Sequence, residues 1–209
     1  MSDIFNAAVL ASVQTPASIT ADGNSAGVRV RDYKGKGAVI LTALNTTGTD
    51  PTMAIKLQHS GDLDLIGTVT YSGTGNGTIT QVIGGADAIT ENIVVTFSNA
   101  TTAAVVGATS GALGTATVGT LFSCANIEFM LKAGGTAFVS GDAFTVPVTA
   151  RTYADVGVAF TGLTSGASVQ KKGVDFDQLK AYLRAVYDIG GTDNPAYTIG
   201  ITAIGYQDY

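Results

Sequence analysis

The chain has 209 residues, of which 45% are hydrophobic and only 13% charged, and its formal net charge is −5. Its cations are few and dispersed: Arg29, Arg31, Lys34 and Lys36 sit among acids, and Lys171-Lys172 is a lone pair. That pattern excludes the phosphate-neutralising patch on which nucleic-acid binding depends. The single cysteine, Cys124, excludes an intramolecular disulfide framework and reads as a small buried apolar side chain.

The N-terminal stretch MSDIFNAAVLASVQ lacks a basic start, and its apolar run is too short for a membrane span. It reads either as an extended arm carrying Ile4, Phe5 and Leu10 to a neighbour or as a frayed terminus. Strands are expected next at 26–32 and 37–44. The second of these, GAVILTAL, is continuously apolar and reads as buried on both faces. TTGTDP is a turn signal closed by Pro51, and 52–59 alternates Met53, Ile55 and Leu57 against Ala54, Lys56 and Gln58.

From about Leu63 to Arg151 the texture shifts to Gly, Thr and Ala, with no Lys or Arg before Lys132. Strands are expected there at 65–71, 78–83, 92–98, 103–106, 127–132 and 143–148, each bounded by Gly, Asn or Asp. The first texture returns at Thr152. The segment 175–188 has helical spacing at Phe176, Leu179, Leu183 and Val186, but 182–189 also alternates and precedes GGTDNP. The favoured reading is a turn at 177–180, then a hairpin of 182–189 with 197–203.

The chemical motifs are sparse. In GTGNGT (73–78), no Lys is present and the following TITQVIGG is a strand, so a phosphate-binding loop backed by a helix is not supported. Asn76-Gly77 reads instead as a tight hairpin turn. His59 is the only histidine and has no recognisable nucleophile beside it. Asp62 and Asp64, like Asp175 and Asp177, form D-x-D pairs that could ligate Ca²⁺. A calcium loop needs more oxygen ligands, and turn capping is the favoured role. No catalytic constellation, cofactor or metal is therefore expected, and the chain does not read as an enzyme. Aromatic residues concentrate in the last third, where Tyr206 and Tyr209 suit a subunit interface.

Two sets of residues carry a resemblance. GKGAVILTALNTTGTDPTMAIKLQHSGD, with YADVGVAF and the run from GVDFDQLKAYLRAVYDIGGTDNP onward, resembles a family of tailed-bacteriophage virion proteins. Asp175, Leu179, Lys180, Tyr182, Arg184, Gly190, Gly191, Thr192 and Pro195 match its pattern. The middle is similar to a Gly/Thr-rich β-module of phage head-decoration and other virion proteins, through GTGNGT, the TFSNAT strand and AGGTAFVSGDAFTV. It departs from that module at GATSGALGTATVG, where a D-P-x-G piece is usual.

The resemblance implies an all-β chain: a jelly-roll-like β-sandwich of residues 1–62 and 152–209, with a second small β-sandwich, 63–151, inserted in one turn. It implies a virion component made in the host cytoplasm and seated on the capsid surface. Such a decoration protein would cement the head by binding the major capsid protein and copies of itself, as a homotrimer, without nucleic acid or membrane. Alternatives are a tail-tube or baseplate subunit and a host-surface glycan-binding module. The expected interface residues are Ile4, Phe5, Leu10, Tyr206 and Tyr209.

Overall fold

A computed structural model of the chain describes residues 7–61 and 65–207. Its strands are β1 (Ala7–Ile19), β2 (Gly23–Asn24), β3 (Val28–Arg29), β4 (Lys34–Ser60), β5 (Thr70–Ser72), β6 (Thr78–Gly84), β7 (Glu91–Phe97), β8 (Thr102–Gly107), β9 (Gly111–Thr117), β10 (Leu121–Ser123), β11 (Ile127–Lys132), β12 (Ala143–Val148), β13 (Ala154–Ala159), β14 (Ser168–Asp175) and β15 (Tyr182–Gln207). A 3-10 turn, Phe176–Gln178, precedes β15. The chain is all-β, with antiparallel sheets, as its composition implies. It divides into two compact units, residues 1–62 with 152–209, and 63–151.

The first unit is organised by one long ladder. β4 and β15 pair antiparallel from Tyr182↔Ser60 to Tyr206↔Lys34. Its middle is irregular: the register shifts on both sides of Thr192, and Gly48, Asp50, Gly191, Asp193 and Asn194 all take positive φ. Around this point the ladder folds over. Residues 36–43 of β4 pair with β14 and residues 197–207 of β15 with β1, giving one layer in the order β1, β15, β4, β14. Residues 56–59 of β4 pair with β13 and residues 182–187 of β15 with β2 and β3, giving the other. Leu163 links the layers: it exchanges backbone hydrogen bonds with Met53, and its carbonyl accepts from the Tyr197 hydroxyl at 3.3 Å.

With β2 and β3 taken together as one, eight antiparallel segments in this order form a jelly roll. Its core comes from alternate residues of each layer: Val39, Leu41, Ala43, Tyr197, Ile199 and Ile201 on one side, Met53, Ile55, Leu57, Leu183, Ala185 and Tyr187 on the other. Period-two burial is what two facing sheets demand.

Several sequence expectations change here. Residues 182–189 and 197–203 do not form a hairpin with each other. Both belong to β15 and pair with β4, because GGTDNP and TTGTDP lie opposite one another and bend two strands together. The helix alternative for 175–188 reduces to the 3-10 turn, capped by Asp175, whose side chain accepts from the Asp177 N–H. From Ala7 on, the N-terminal stretch is neither frayed nor an arm reaching to a neighbour: 7–19 is an edge strand paired with β15 of the same chain. The strand expected at 26–32 shrinks to Val28–Arg29. GAVILTAL is not buried on both faces throughout: Val39, Leu41 and Ala43 face the core, while on the other side Ala38 is covered, Ile40 half-buried and Thr42 and Leu44 exposed, because a two-layer sandwich leaves that face of the sheet outward.

The second unit pairs a five-stranded sheet, β5-β12-β7-β8-β9, with a three-stranded one, β10-β11-β6. Ile93, Val95, Phe97, Ile127, Phe129 and Leu131 meet between them, and Phe138 stacks on Phe97 with centroids 3.8 Å apart. GTGNGT is not a hairpin: it carries the chain from β5 in one sheet to β6 in the other. Among its residues only Gly73 has positive φ, so Asn76-Gly77 does not form the mirror-image turn expected.

Candidate interaction surface

The β1-β15-β4-β14 layer of the jelly roll turns an apolar face outward. Because Val39, Leu41, Ile199 and Ile201 point into the core, the even-numbered residues between them on β4 and β15 point away from it, and so do their register neighbours, Leu10 and Ser12 on β1 and the odd-numbered Val169, Lys171 and Gly173 on β14. In register order, Leu10 lies beside Ile204, Ile204 beside Ala38, and Ala38 beside Gly173. The next rows contain Ser12, Thr202, Ile40 and Lys171, then Gly200, Thr42 and Val169, then Thr198 and Leu44. Leu10 is 69%, Leu44 58% and Val169 74% exposed, while Ile40 and Ile204 are half-buried. Among the described residues of these rows Lys171 is the only charge, and Lys36 opposite Asp175 closes one end.

The opposite layer shows what a solvated outer face of the same fold looks like. There Lys56 Nζ lies 2.9 Å from Asp155 and Gln58 donates to Asp155 at 2.7 Å. Arg184 donates twice to Gln58 Oε1 and stacks on the Tyr153 ring at 4.0 Å. The hydrogen bonds from Gln58 and then Lys56 hold the Asp155 carboxyl below its ordinary value. Among the described residues, one face is thus threaded with charge and side-chain hydrogen bonds, while the other presents Leu10, Val169 and Leu44 among Ser and Thr, with Thr42 Oγ1 donating to the Gly200 carbonyl at 3.2 Å. An exposed apolar patch is a candidate interaction surface.

Of the expected interface residues, Leu10 and Tyr206 come together on this face: Tyr206 follows Ile204 on the same side of β15 and is also exposed. Ile4, Phe5 and Tyr209 lie outside the described residues, as do Asp62 and Asp64. Ile40, Leu44, Val169 and Ile204 were not singled out from sequence. The signal was the parity of SVQKKGVD, where Val169 and the buried Val174 fall on opposite faces.

The remaining candidates resolve into structure. His59 Nδ1 accepts from the Lys180 N–H at 3.3 Å; burial, then the Lys180 charge, pushes its pKa down. It lines a recess of about 260 Å³ with Asp155, Asp175 and Leu179. Asp177 accepts from the Gly35 N–H at 3.2 Å. Cys124 is half-buried against the core of the second unit. Among the described residues no three His, Cys, Asp or Glu side chains converge on one point. Ser60, next to His59, has a buried hydroxyl without a hydrogen-bond partner among the described residues. Ser60→Ala is therefore expected to leave stability unchanged or raise it by up to about 1 kcal/mol, checked by urea unfolding. A loss larger than that would mean the hydroxyl has a partner in solution.

The Gly-rich loop of the second unit does hold an anion, but the anion is the protein's own. Asp142, 3% exposed, accepts from the N–H groups of Thr74 and Gly75 at 3.0 Å, from the Val139 N–H at 3.1 Å and from the Tyr71 hydroxyl at 2.9 Å. The Thr74 N–H contributes most to lowering its pKa to about 2; burial opposes, and Val139, Gly75 and Tyr71 add to the lowering. A Cβ on Gly73 would lie 2.3 Å from the Asp142 carboxylate, and one on Gly77 2.3 Å from the Phe138 ring. Those glycines are needed for close approach. Glu91 is held likewise: burial would raise its pKa, but bonds from Ser110, Thr109 and Asn126 outweigh it and lower it.

Comparison with known proteins finds no matching family model and no matching curated protein. Among solved structures, FlgL of Xanthomonas campestris in space group C2 is 21% identical over 49% of this chain, with a TM-score of 0.35. The H3 form is 23% identical over 48%, with a TM-score of 0.33. This chain spans about a third of the length of either, 33%. The VP16–VP17 complex of the two major capsid proteins of bacteriophage P23-77 is 13% identical, covering 96% of this chain and 97% of that one, with a TM-score of 0.18. The likeness to these phage capsid proteins is weak, and the reading of the surface rests on its own geometry.

Proposed function

We propose that the chain is a structural component of a phage virion, a decoration protein that cements the head shell by binding between major capsid subunits. The observation that carries this reading is the asymmetry of the jelly roll, with one outer face apolar and the other solvated. The resemblance of its outer segments to tailed-phage virion proteins supports the same reading. In this role residues 1–62 and 152–209 form the seated domain and 63–151 an inserted module, and the partners are the capsid protein and further copies of the chain. Function is mechanical. A protein that binds the closed shell and not its separated subunits stabilises the closed state by linkage, and many copies multiply weak contacts.

The test is to image labelled virions and to melt heads with and without the protein. The label is expected over the head, at a copy number near that of the major shell subunit, and stripped heads are expected to open at lower temperature. Label on the tail, or unchanged head melting after stripping, would overturn the proposal.

A further inference from the structure

We infer that the apolar face of the β1-β15-β4-β14 layer pairs with the same face of a second copy about a two-fold axis parallel to the strands. The inference deepens the proposed role and rests on it for its purpose, but the pairing itself belongs to the free chain.

Charge favours a second copy. The chain carries 16 Asp and Glu against 11 Lys and Arg, so most approaches between copies bring acids together. The rows around Ile40 contain no acid among the described residues and a single Lys171 at one side. An acidic partner would find one cation there, and a basic partner none to oppose. A second copy opposes this surface with the same residues, without an acid and with its own Lys171 at the far edge.

Shape favours this axis. It lays β1 of one copy over β14 of the other and keeps the rows in step. Leu10, protruding from β1, then meets Gly173, which stands in the same row and has nothing within 4 Å of where its Cβ would be. Val169, protruding from β14, meets the region of Pro16, which lies against Gly200 in the row of Thr42. Each knob faces a bare or apolar site. Two stacked sheets then cross at the small angle their twist imposes.

Area sets the strength. Four strands spaced about 4.8 Å and about eight residues of length give a face of roughly 500 Å². A standard stable interface takes about 800 Å² from each partner. The pair is therefore expected to be weaker than a standard stable dimer. A weak pair covers the apolar face in the free chain and gives way readily when that face meets the shell. A two-fold contact also differs from the threefold assembly that the family resemblance implied.

Sedimentation of the full chain from micromolar to millimolar concentration tests the pairing. The expected result is a monomer–dimer equilibrium that does not weaken when salt rises about tenfold, since no ion pair holds it. Leu10→Lys with Val169→Lys is expected to weaken it at least about tenfold without changing the melting temperature, both side chains being exposed. Gly173→Leu fills the notch and is expected to weaken it similarly, although the residue is apolar. Lys56→Gln, on the opposite layer, is expected to change nothing. A monomer at every concentration, a trimer, or a dimer indifferent to the first two variants would overturn the inference. So would a dimer tightened by Gly173→Leu, because that residue would then lie outside the notch contact. A chain that never pairs but still binds heads would sink this inference alone. A chain that pairs but is absent from virions would sink the proposed role alone.

Discussion

Replacing Asp142 with alanine is expected to lower the melting temperature of the 63–151 unit by about 10 °C or more, the largest single effect anticipated there. The change strands three backbone N–H groups and the Tyr71 hydroxyl, all of which now donate to one carboxylate. Buried donors without a partner cost far more than the hydrogen bonds are worth in net stability. Asp142→Asn keeps the shape but turns an NH₂ group toward donors, so it too is expected to destabilise.

The acid response follows from the same cradle. Asp142 has a folded pKa of about 2, below its ordinary 3.8, so the unfolded chain binds the proton more readily. Its stabilising contribution is complete above about pH 4 and is lost as pH falls from there through about 2. Thermal melts by circular dichroism between pH 2 and 7 are expected to show this loss in the native chain and its reduction in Asp142→Asn. Equal acid sensitivity in the two proteins would remove Asp142 from the account. The Glu91 pocket contributes in the same direction, its carboxyl also being held below its ordinary value.

At the other unit the largest effect is expected from Gly191→Val, at the bend of the β4–β15 ladder. Gly191 has φ +116°, and an added Cβ would lie 2.9 Å from the Asp50 carbonyl and 3.0 Å from Pro51 Cα. Both contacts are backbone, so no side chain can swing aside. A cost of about 2–4 kcal/mol is expected, from backbone strain together with overpacking. Urea unfolding measures it, with Gly173→Ala as the control, since that site is open and its φ is not positive. If both variants unfold alike, the bend does not need its glycine. The hydroxyl of Thr49, 2.6 Å from Asp193, braces the same bend from the side.

The bend lies where local sequence and tertiary structure part. TTGTDP and GGTDNP each carry the residues that favour positive φ and so predict places where the chain reverses. The backbone does take positive φ there, at Gly48, Asp50, Gly191, Asp193 and Asn194. What it does with that freedom is fold two paired strands together, an outcome visible only when both segments are side by side. Asn76-Gly77 misled in the same way: a good hairpin dipeptide became a crossing between sheets, because Gly75 and Gly77 are occupied with clearing space for Phe138.

The candidate surface was legible in part. Leu10 and Tyr206 could be picked out as exposed anchors, but nothing local says that residues nearly two hundred positions apart share a face. Only the β1–β15 register does that. Ile40 looked like a core residue because GAVILTAL is apolar throughout; with only two layers, half of that run must face outward.

By itself, the sequence determined the all-β class, through β-branched residues at period two and glycine-rich punctuation, because those preferences act within a few residues. It also determined that charge would be scarce. Tertiary structure decided which strands pair, which apolar residues stay outside, and where the carboxylates find donors. Asp142 and Thr74 are 68 positions apart, and a hydrogen bond between them is set by how the sheets pack and by no local pattern.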